Sequence, residues 1–250
     1  MPATSKAGAH LIDTNTVIAG VLANLAIAGG AAAQASIGLG LNLFAVPILA
    51  LIDPVFVPGP VLVHSFLVAS AASYRLRQEI RGDELGISTA GLLAGTAAAA
   101  LLLTQLDQGR LPRVLGVLVV AAVALTAAGY RIALTRRSIA TASATAGIMG
   151  TIAGVHGPPI ALLYQHETPA RIRSALLPFF AVANFISLVA LAAIGMLGWR
   201  QFEASLLLVP GLIAGFLAAP WLIRLMSARM IRACILAISA ISGLALVLKN

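Results

Sequence analysis

Charge and cysteine are the scarce residues of this chain. Only 10% of its 250 residues are Asp, Glu, Lys or Arg, against 60% hydrophobic, and its mean hydropathy is +1.00. A soluble domain keeps about a quarter of its residues charged, so a water-facing globule is excluded. There is 1 cysteine, Cys234, inside the last apolar run, which rules out an intrachain disulfide and a cysteine-cluster metal site. Also missing are a nucleotide-binding loop, an HExxH helix, a GxSxG elbow and any paired catalytic carboxylates, and these absences speak against an enzyme. No cofactor is expected. The excess of 16 Lys and Arg over 8 Asp and Glu sits in short loops, where it anchors the chain at lipid headgroups and sets orientation. It is not a nucleic-acid footprint.

What the chain has in abundance is apolar runs. They fall at about 17–35, 41–52, 59–78, 86–105, 112–130, 139–153, 159–166, 171–196, 202–221 and 228–248, separated by turn signals such as Asp53-Pro54, Arg81-Gly82-Asp83 and Glu167-Thr168-Pro169. Runs of about 17 to 25 residues match a hydrocarbon layer about 30 Å thick, so the expected fold is an all-α polytopic membrane protein in a single membrane domain. The amino-terminal run superficially resembles a secretory signal. Asp13 intrudes there, however, and the run leads into a break that has a counterpart farther on, so it is read as part of the membrane unit.

The informative stretch is Gly147 to Arg173, GIMGTIAGVHGPPIALLYQHETPARIR. Gly154 and Gly157 lack side chains, and Pro158 and Pro159 lack backbone donors, so a helix from Ser138 stops near Val155 and a shorter one begins at Pro158. Irregular backbone at membrane depth is tolerated only against protein or a watery cavity. A second break, Gln34 to Asn42 (QASIGLGLN), interrupts the first half. Shifting the chain by 116 residues brings Gly38 onto Gly154, Gly95 onto Gly211 and Arg113 onto Arg229, with the apolar runs in matching order. The pattern predicts two structural repeats, 1–137 and 138–250, each a broken helical hairpin followed by three transmembrane helices.

Positive charge discriminates between two topologies. If both broken segments cross fully, the basic residues divide almost evenly between the two sides. If each is a hairpin that returns to its own side, Arg75, Arg77, Arg81, Arg131, Arg136, Arg137, Arg171, Arg173, Arg224, Arg229 and Arg232 share one side, and only Lys6, Arg110, Arg113, Arg200 and Lys249 lie opposite. The hairpin arrangement is therefore expected, with the arginine-rich loops cytoplasmic and both termini external. Three crossings per repeat make the repeats inverted. The arm at 17–35 is nevertheless long enough to span the bilayer, where a half-depth hairpin needs about half that length.

With both breaks identified, the sequence resembles the sulfite exporter TauE/SafE family of membrane permeases over nearly its whole length. The glycine-rich segments Gln34 to Pro47 (QASIGLGLNLFAVP) and Gly147 to Pro159 (GIMGTIAGVHGPP), each opening one half, carry the likeness, with Arg173 starting the following helix. The resemblance implies a secondary transporter of the cytoplasmic membrane that exports sulfite or small organosulfonates such as sulfoacetate. Protons are the candidate coupling ion and a homodimer the candidate assembly. An anion channel or an uptake permease for a related anion is the alternative.

Such an anion needs desolvated donors and positive potential, which helix amino termini supply. The amides of Leu41, Asn42, Gly157 and Ile160 are the first candidates, with Gly38 and Gly40 opening the backbone. The alternative is that these glycines and prolines only allow close helix packing. His156, in the second break, donates from either ring nitrogen and, as a histidine with an ordinary pKa of about 6.5, can carry a proton. His64 is a second ionisable group at depth. Gln34, Ser36, Asn42 and Asn184 are polar groups that would line the cavity or else bond between helices. Arg75 and Arg77 are expected to snorkel, His166 and Glu167 to lie at the surface, and the run Ser138 to Thr145 to pack against other helices.

Overall fold

Each of the two breaks turns the chain back on itself. The computed structural model describes residues 14–37, 40–129 and 131–248, and among these the regular structure is helical, with no strand. In chain order the helices are α1 (Thr14–Ile37), α2 (Leu41–Ile52), α3 (Gly59–Arg75), α4 (Gly82–Gln105), α5 (Leu111–Ala128), α6 (Arg136–Ala153), α7 (Gly157–Tyr164), α8 (Pro169–Ala193), α9 (Trp199–Leu225) and α10 (Ala228–Leu248). Seven are long and apolar enough to cross a membrane: α1, α3, α4, α5, α8, α9 and α10. Their outer faces are built for lipid. Leu101 on α4, Leu217 on α9 and Ile241 on α10 are 70%, 66% and 68% exposed, an apolar surface that water would not tolerate. The protein is an integral membrane protein.

α2 has 12 residues and α7 has 8, about 18 Å and 12 Å of helix, so neither spans alone. Both double back on the helix before them. Near the first turn, Gly30 lies against the backbone of Leu41 and Gly29 against the Phe44 ring. Farther out, Ile18, Leu22, Ile48 and Ile52 line one groove, so the start of α1 and the end of α2 lie at the same level. In the second hairpin, Ile139 and Ala146 of α6 share a core cluster with Ile160, Leu163 and Tyr164 of α7. Tyr164 closes α7 by donating from its hydroxyl to Glu84, at the start of α4, at 2.8 Å.

The two halves interlock. α1 packs on α9 and α6 on α4, while α3 packs on α8 and α5 on α10. Exchanging the halves maps the first two contacts onto each other and the last two onto themselves. At both crossed contacts a glycine lets the backbones touch: a side chain on Gly91 or Gly95 would run into the Ala140 or Ala144 carbonyl, and one on Gly211 or Gly215 into the Asn24 or Ala28 carbonyl. These are two small-xxx-small faces used in the same way. By contact Gly91 is therefore the counterpart of Gly211, one helical turn from the pairing of Gly95 with Gly211 that the 116-residue shift gives. A one-turn slide keeps the same face. The self-paired helices run antiparallel, with Gly116 of α5 against Gly243 and Val247 of α10 while Arg232 donates to the Thr126 carbonyl at the other end.

Asn24 mends a fault in α9. Pro210 interrupts the helix, and the Asn24 amide inserts beside it, accepting from Gly211 N–H at 2.7 Å and donating to the Leu207 carbonyl at 2.9 Å. The polar run Ser138 to Thr145 divides by face. Ser143 is buried, whereas Thr141 and Thr145 are exposed and fold their hydroxyls onto Arg137 and Thr141 carbonyls of their own helix, a common way to hide a hydroxyl in a helix. His166 and Glu167 are exposed. Arg77 lies over the Tyr74 ring, 4.7 Å from its centre, as a snorkelling interfacial side chain does.

Candidate functional site

The two turns meet. At the first, Gly40 sits at φ 131°, ψ −18°, a region open to glycine and strained for other residues. Its carbonyl takes the Phe44 N–H at 2.9 Å, and Gln34 Oε1 takes the Leu41 N–H at 3.3 Å. The Leu41 amide, expected to be free for a ligand, is thus capped by the protein's own side chain. The next residue reaches across: Asn42 Nδ2 donates to the Gly154 carbonyl at 2.6 Å, and its Oδ1 accepts from the Ser65 hydroxyl of α3. Gly154, at φ 73°, ends α6 in the left-handed conformation that commonly closes a helix.

His156 follows directly and is 2% exposed. Its ring lies flat over Gly150, where a methyl group would overlap ring atoms at 2.0–2.3 Å. Its Nε2 is 3.0 Å from Ser187 Oγ; Ser187 Oγ is 2.8 Å from Thr151 Oγ1, which donates to Thr96 Oγ1 at 3.1 Å. The chain of hydroxyls suits the tautomer that carries its proton on Nε2: with the Thr151 proton on Thr96, Ser187 donates to Thr151 and accepts from Nε2–H. That leaves His156 Nδ1 as a buried lone pair without a partner among the described residues, and Asn184 Oδ1 is in the same condition while its Nδ2 donates to the Phe180 carbonyl at 2.7 Å. An orphaned buried acceptor costs about 1–3 kcal/mol, and each of these two is open to a donor or a proton.

Between the turns lies a cavity of about 90 Å³. A void that holds one water needs about 10–15 Å³ by this measure, so the cavity has room for a small polyatomic group. Its walls bring together Gln34, Gly40, Leu41, Asn42, His156, Gly157 and Asn184, residues singled out from the sequence. Others fall elsewhere. Ser36 bonds to the Ala32 carbonyl of its own helix. His64, 1% exposed, turns Nδ1 to the Pro60 carbonyl at 2.8 Å and does not line the cavity. The Ile160 side chain packs with Leu163 and Phe179 behind α7, and Gly38 lies outside the described residues. Ser65 and Thr126 are walls that the sequence reading missed. Ser65 is one residue beyond His64 and so about 100° around α3, which turns the hydroxyl rather than the imidazole to the cavity. The described walls carry no Asp, Glu, Lys or Arg, so any positive potential comes from helix termini and protonation.

Membrane-length helices packed around two doubled-back segments, with a cavity bearing a few polar side chains where those segments meet, have the build of a membrane transporter. The sequence model of the sulfite exporter TauE/SafE family matches residues 22–246, and the chain belongs to that family. It is accordingly a membrane transporter of the sulfite-exporter kind. No curated protein and no solved structure matches it.

Proposed function

We propose that the chain exports a small sulfur oxyanion, sulfite or an organosulfonate such as sulfoacetate, across the cytoplasmic membrane by alternating access around the cavity between the hairpin turns. The observation that carries this reading is the bond from Asn42 to Gly154 at the wall of a buried polar cavity: both halves contribute to one site. Two repeats, 1–137 and 138–250, are inverted in this scheme. The antiparallel contact of α5 with its counterpart α10 supports that inversion, since a two-fold exchange reverses a helix only when its axis lies across that helix. The hairpins then enter from opposite faces and both termini are external.

Protons are the coupling ion in this scheme, which takes His156 as the tautomer with its proton on Nε2. With Nε2–H held by Ser187, neutral His156 offers the cavity no donor, and only a proton taken up at Nδ1 lets the ring bond to an anion. Anion and proton therefore bind together. Counterflow in proteoliposomes tests the function: vesicles preloaded with unlabelled sulfite or sulfoacetate should transiently concentrate the labelled anion in exchange. Linear, non-saturating flux without counterflow would identify a channel instead, and no flux of any sulfur oxyanion would reject the reading.

A further inference from the structure

The central cavity shares several wall residues with a second, larger space. Between α7 and α10 lies a vestibule of about 450 Å³ that shares Gly40, Leu43, Thr126, Pro158 and Ala161 with the cavity. Its charged wall residues are Arg229 and Arg232, with no acid beside them among the described residues. Both arginines are exposed. The equivalent positions in the other half are packed shut. Ala161 and Gln165 of the vestibule correspond to Ala45 and Leu49 at the 116-residue shift; Ala45 and Leu49 are both 0% exposed. Arg232 corresponds to Gly116, which lies on the backbone of α10 at Gly243 and Val247.

We infer that this vestibule is the anion's path to the central cavity, and that Arg229 and Arg232 form a mouth site that captures a compact oxyanion on the arginine-rich side of the membrane. The inference rests on the transport reading. Two cations without a neighbouring acid, beside an apolar wall, focus potential and raise the local concentration of anions. Arg232 also donates to the Thr126 carbonyl at 2.7 Å, which holds its guanidinium at the rim. Ala45, Leu49 and the Gly116 face of α5 form the closed gate on the opposite side. In the complementary state α5 would part from α2 there while α10 closes on α7.

The test uses the full chain with Cys234→Ala and Leu236→Cys, a position on the vestibule wall, reconstituted in liposomes. An anionic methanethiosulfonate should label this cysteine faster than a cationic one, and Arg229→Gln with Arg232→Gln should lower that ratio of rates about tenfold. Sulfoacetate, which unlike sulfite does not cleave the mixed disulfide, should protect it. In counterflow the same double change should raise KM about tenfold and flatten its salt dependence. The maximal rate should hold, and the Lys pair should restore KM. Arg75→Gln is the control, since Arg75 lies in the separate α3–α8 groove beside Glu79. An unchanged labelling ratio, or an equal effect of Arg75→Gln, would overturn the inference. So would a lower maximal rate at unchanged KM, the signature of Arg232 acting only as a cap on α5. If wild-type protein moves no sulfur oxyanion, the transport reading fails, while the labelling ratio still decides whether the vestibule is a charged path.

Discussion

Asn42, at the start of α2, and Gly154, at the end of α6, are joined at 2.6 Å by a bond from a side-chain amide to a main-chain carbonyl, 112 residues apart in sequence. It links the tips of two hairpins whose long arms pack on different partners, α1 on α9 and α6 on α4. Asn42→Ala leaves the Gly154 carbonyl and the Ser65 hydroxyl unpaired at depth and should lower stability by about 1–3 kcal/mol. Asn42→Asp separates the two halves of the role. A carboxylate still accepts from Ser65 but cannot donate to the carbonyl. We expect both variants to lose at least about tenfold in counterflow rate, read beside thermal unfolding in detergent, with Asp no better than Ala. Normal transport by Asn42→Asp would mean that the tip-to-tip bond is dispensable.

His156 is held by contact as well as by hydrogen bonding, because its ring lies on Gly150 and its Nε2 on Ser187. His156→Gln keeps a donor that can reach Ser187 but takes up no proton. It should therefore fold, bind the anion more weakly and lose the pH dependence of the wild-type rate. Gly150→Ala should displace the ring and copy the defect. Combined with His156→Ala, it should add little, giving a non-additive double-mutant cycle. Full additivity would place the two residues in separate roles.

The parts of this site that were legible in the sequence are those where a break in a membrane helix needs special residues. Glycine and proline at 38–42 and 154–159 announce the turns, and lone polar residues such as Asn42, His156 and Asn184 stand out in apolar sequence. What could not be read was the direction of each side chain. The Asn42 side chain, expected to line the cavity or else bond between helices, does both and ties the hairpins together. The Leu41 amide was expected to be open, but Gln34 occupies it. His64 and Ser65 are adjacent, and the one facing the cavity depends on the rotation of α3, which packing against α8 and α9 decides. Asn24 was overlooked although its signal existed: a polar amide in a lipid-length run, with the Gly211 N–H and the Leu207 carbonyl beside Pro210 as its partners. The Gly91 to Gly95 and Gly211 to Gly215 spacings were equally available as packing faces.

The second hairpin is tied to the membrane surface by a cluster that has no counterpart on the first among the described residues. Glu84 accepts from the Tyr164 hydroxyl at 2.8 Å and from the Arg171 guanidinium, and pairs with Arg81 at 3.4 Å. Arg171 also lies 5.4 Å from the centre of the Tyr164 ring. The Glu84 and Arg171 side chains are only 15% and 13% exposed, so removing one partner leaves a poorly hydrated charge. Glu84→Gln should destabilise the protein by about 3 kcal/mol, the lower end for breaking a buried pair. Tyr164→Phe, which deletes one neutral donor, should cost about 1 kcal/mol. The comparison is made by unfolding in detergent. Equal effects of the two changes would show that the ion pair contributes nothing beyond the hydroxyl.

The hairpin arrangement makes a firm prediction about sides. In the structure the end of α7 at Tyr164 meets the start of α4 at Glu84, and the end of α3 at Arg75 lines one groove with the start of α8 at Arg173. Arg232 of α10 meets the end of α5 at Thr126. These contacts gather the connections around residues 76–81, 131–135, 165–168 and 226–227 at one level, where most of the arginines lie. Positive charge is retained on the cytoplasmic side. In a Cys234→Ala background, a cysteine at Ala133, in the exposed connection between α5 and α6, should therefore resist an impermeant thiol reagent in intact cells and react after the membrane is opened. One at Gln105, across α5 at the other end, should react in intact cells. If both cysteines react from outside, α5 does not separate them and the crossing assignment fails. If only Ala133→Cys reacts, the fold stands but the chain is inserted the other way up, and the vestibule bearing Arg229 and Arg232 would open outward, so that the same geometry would load an anion for uptake rather than export.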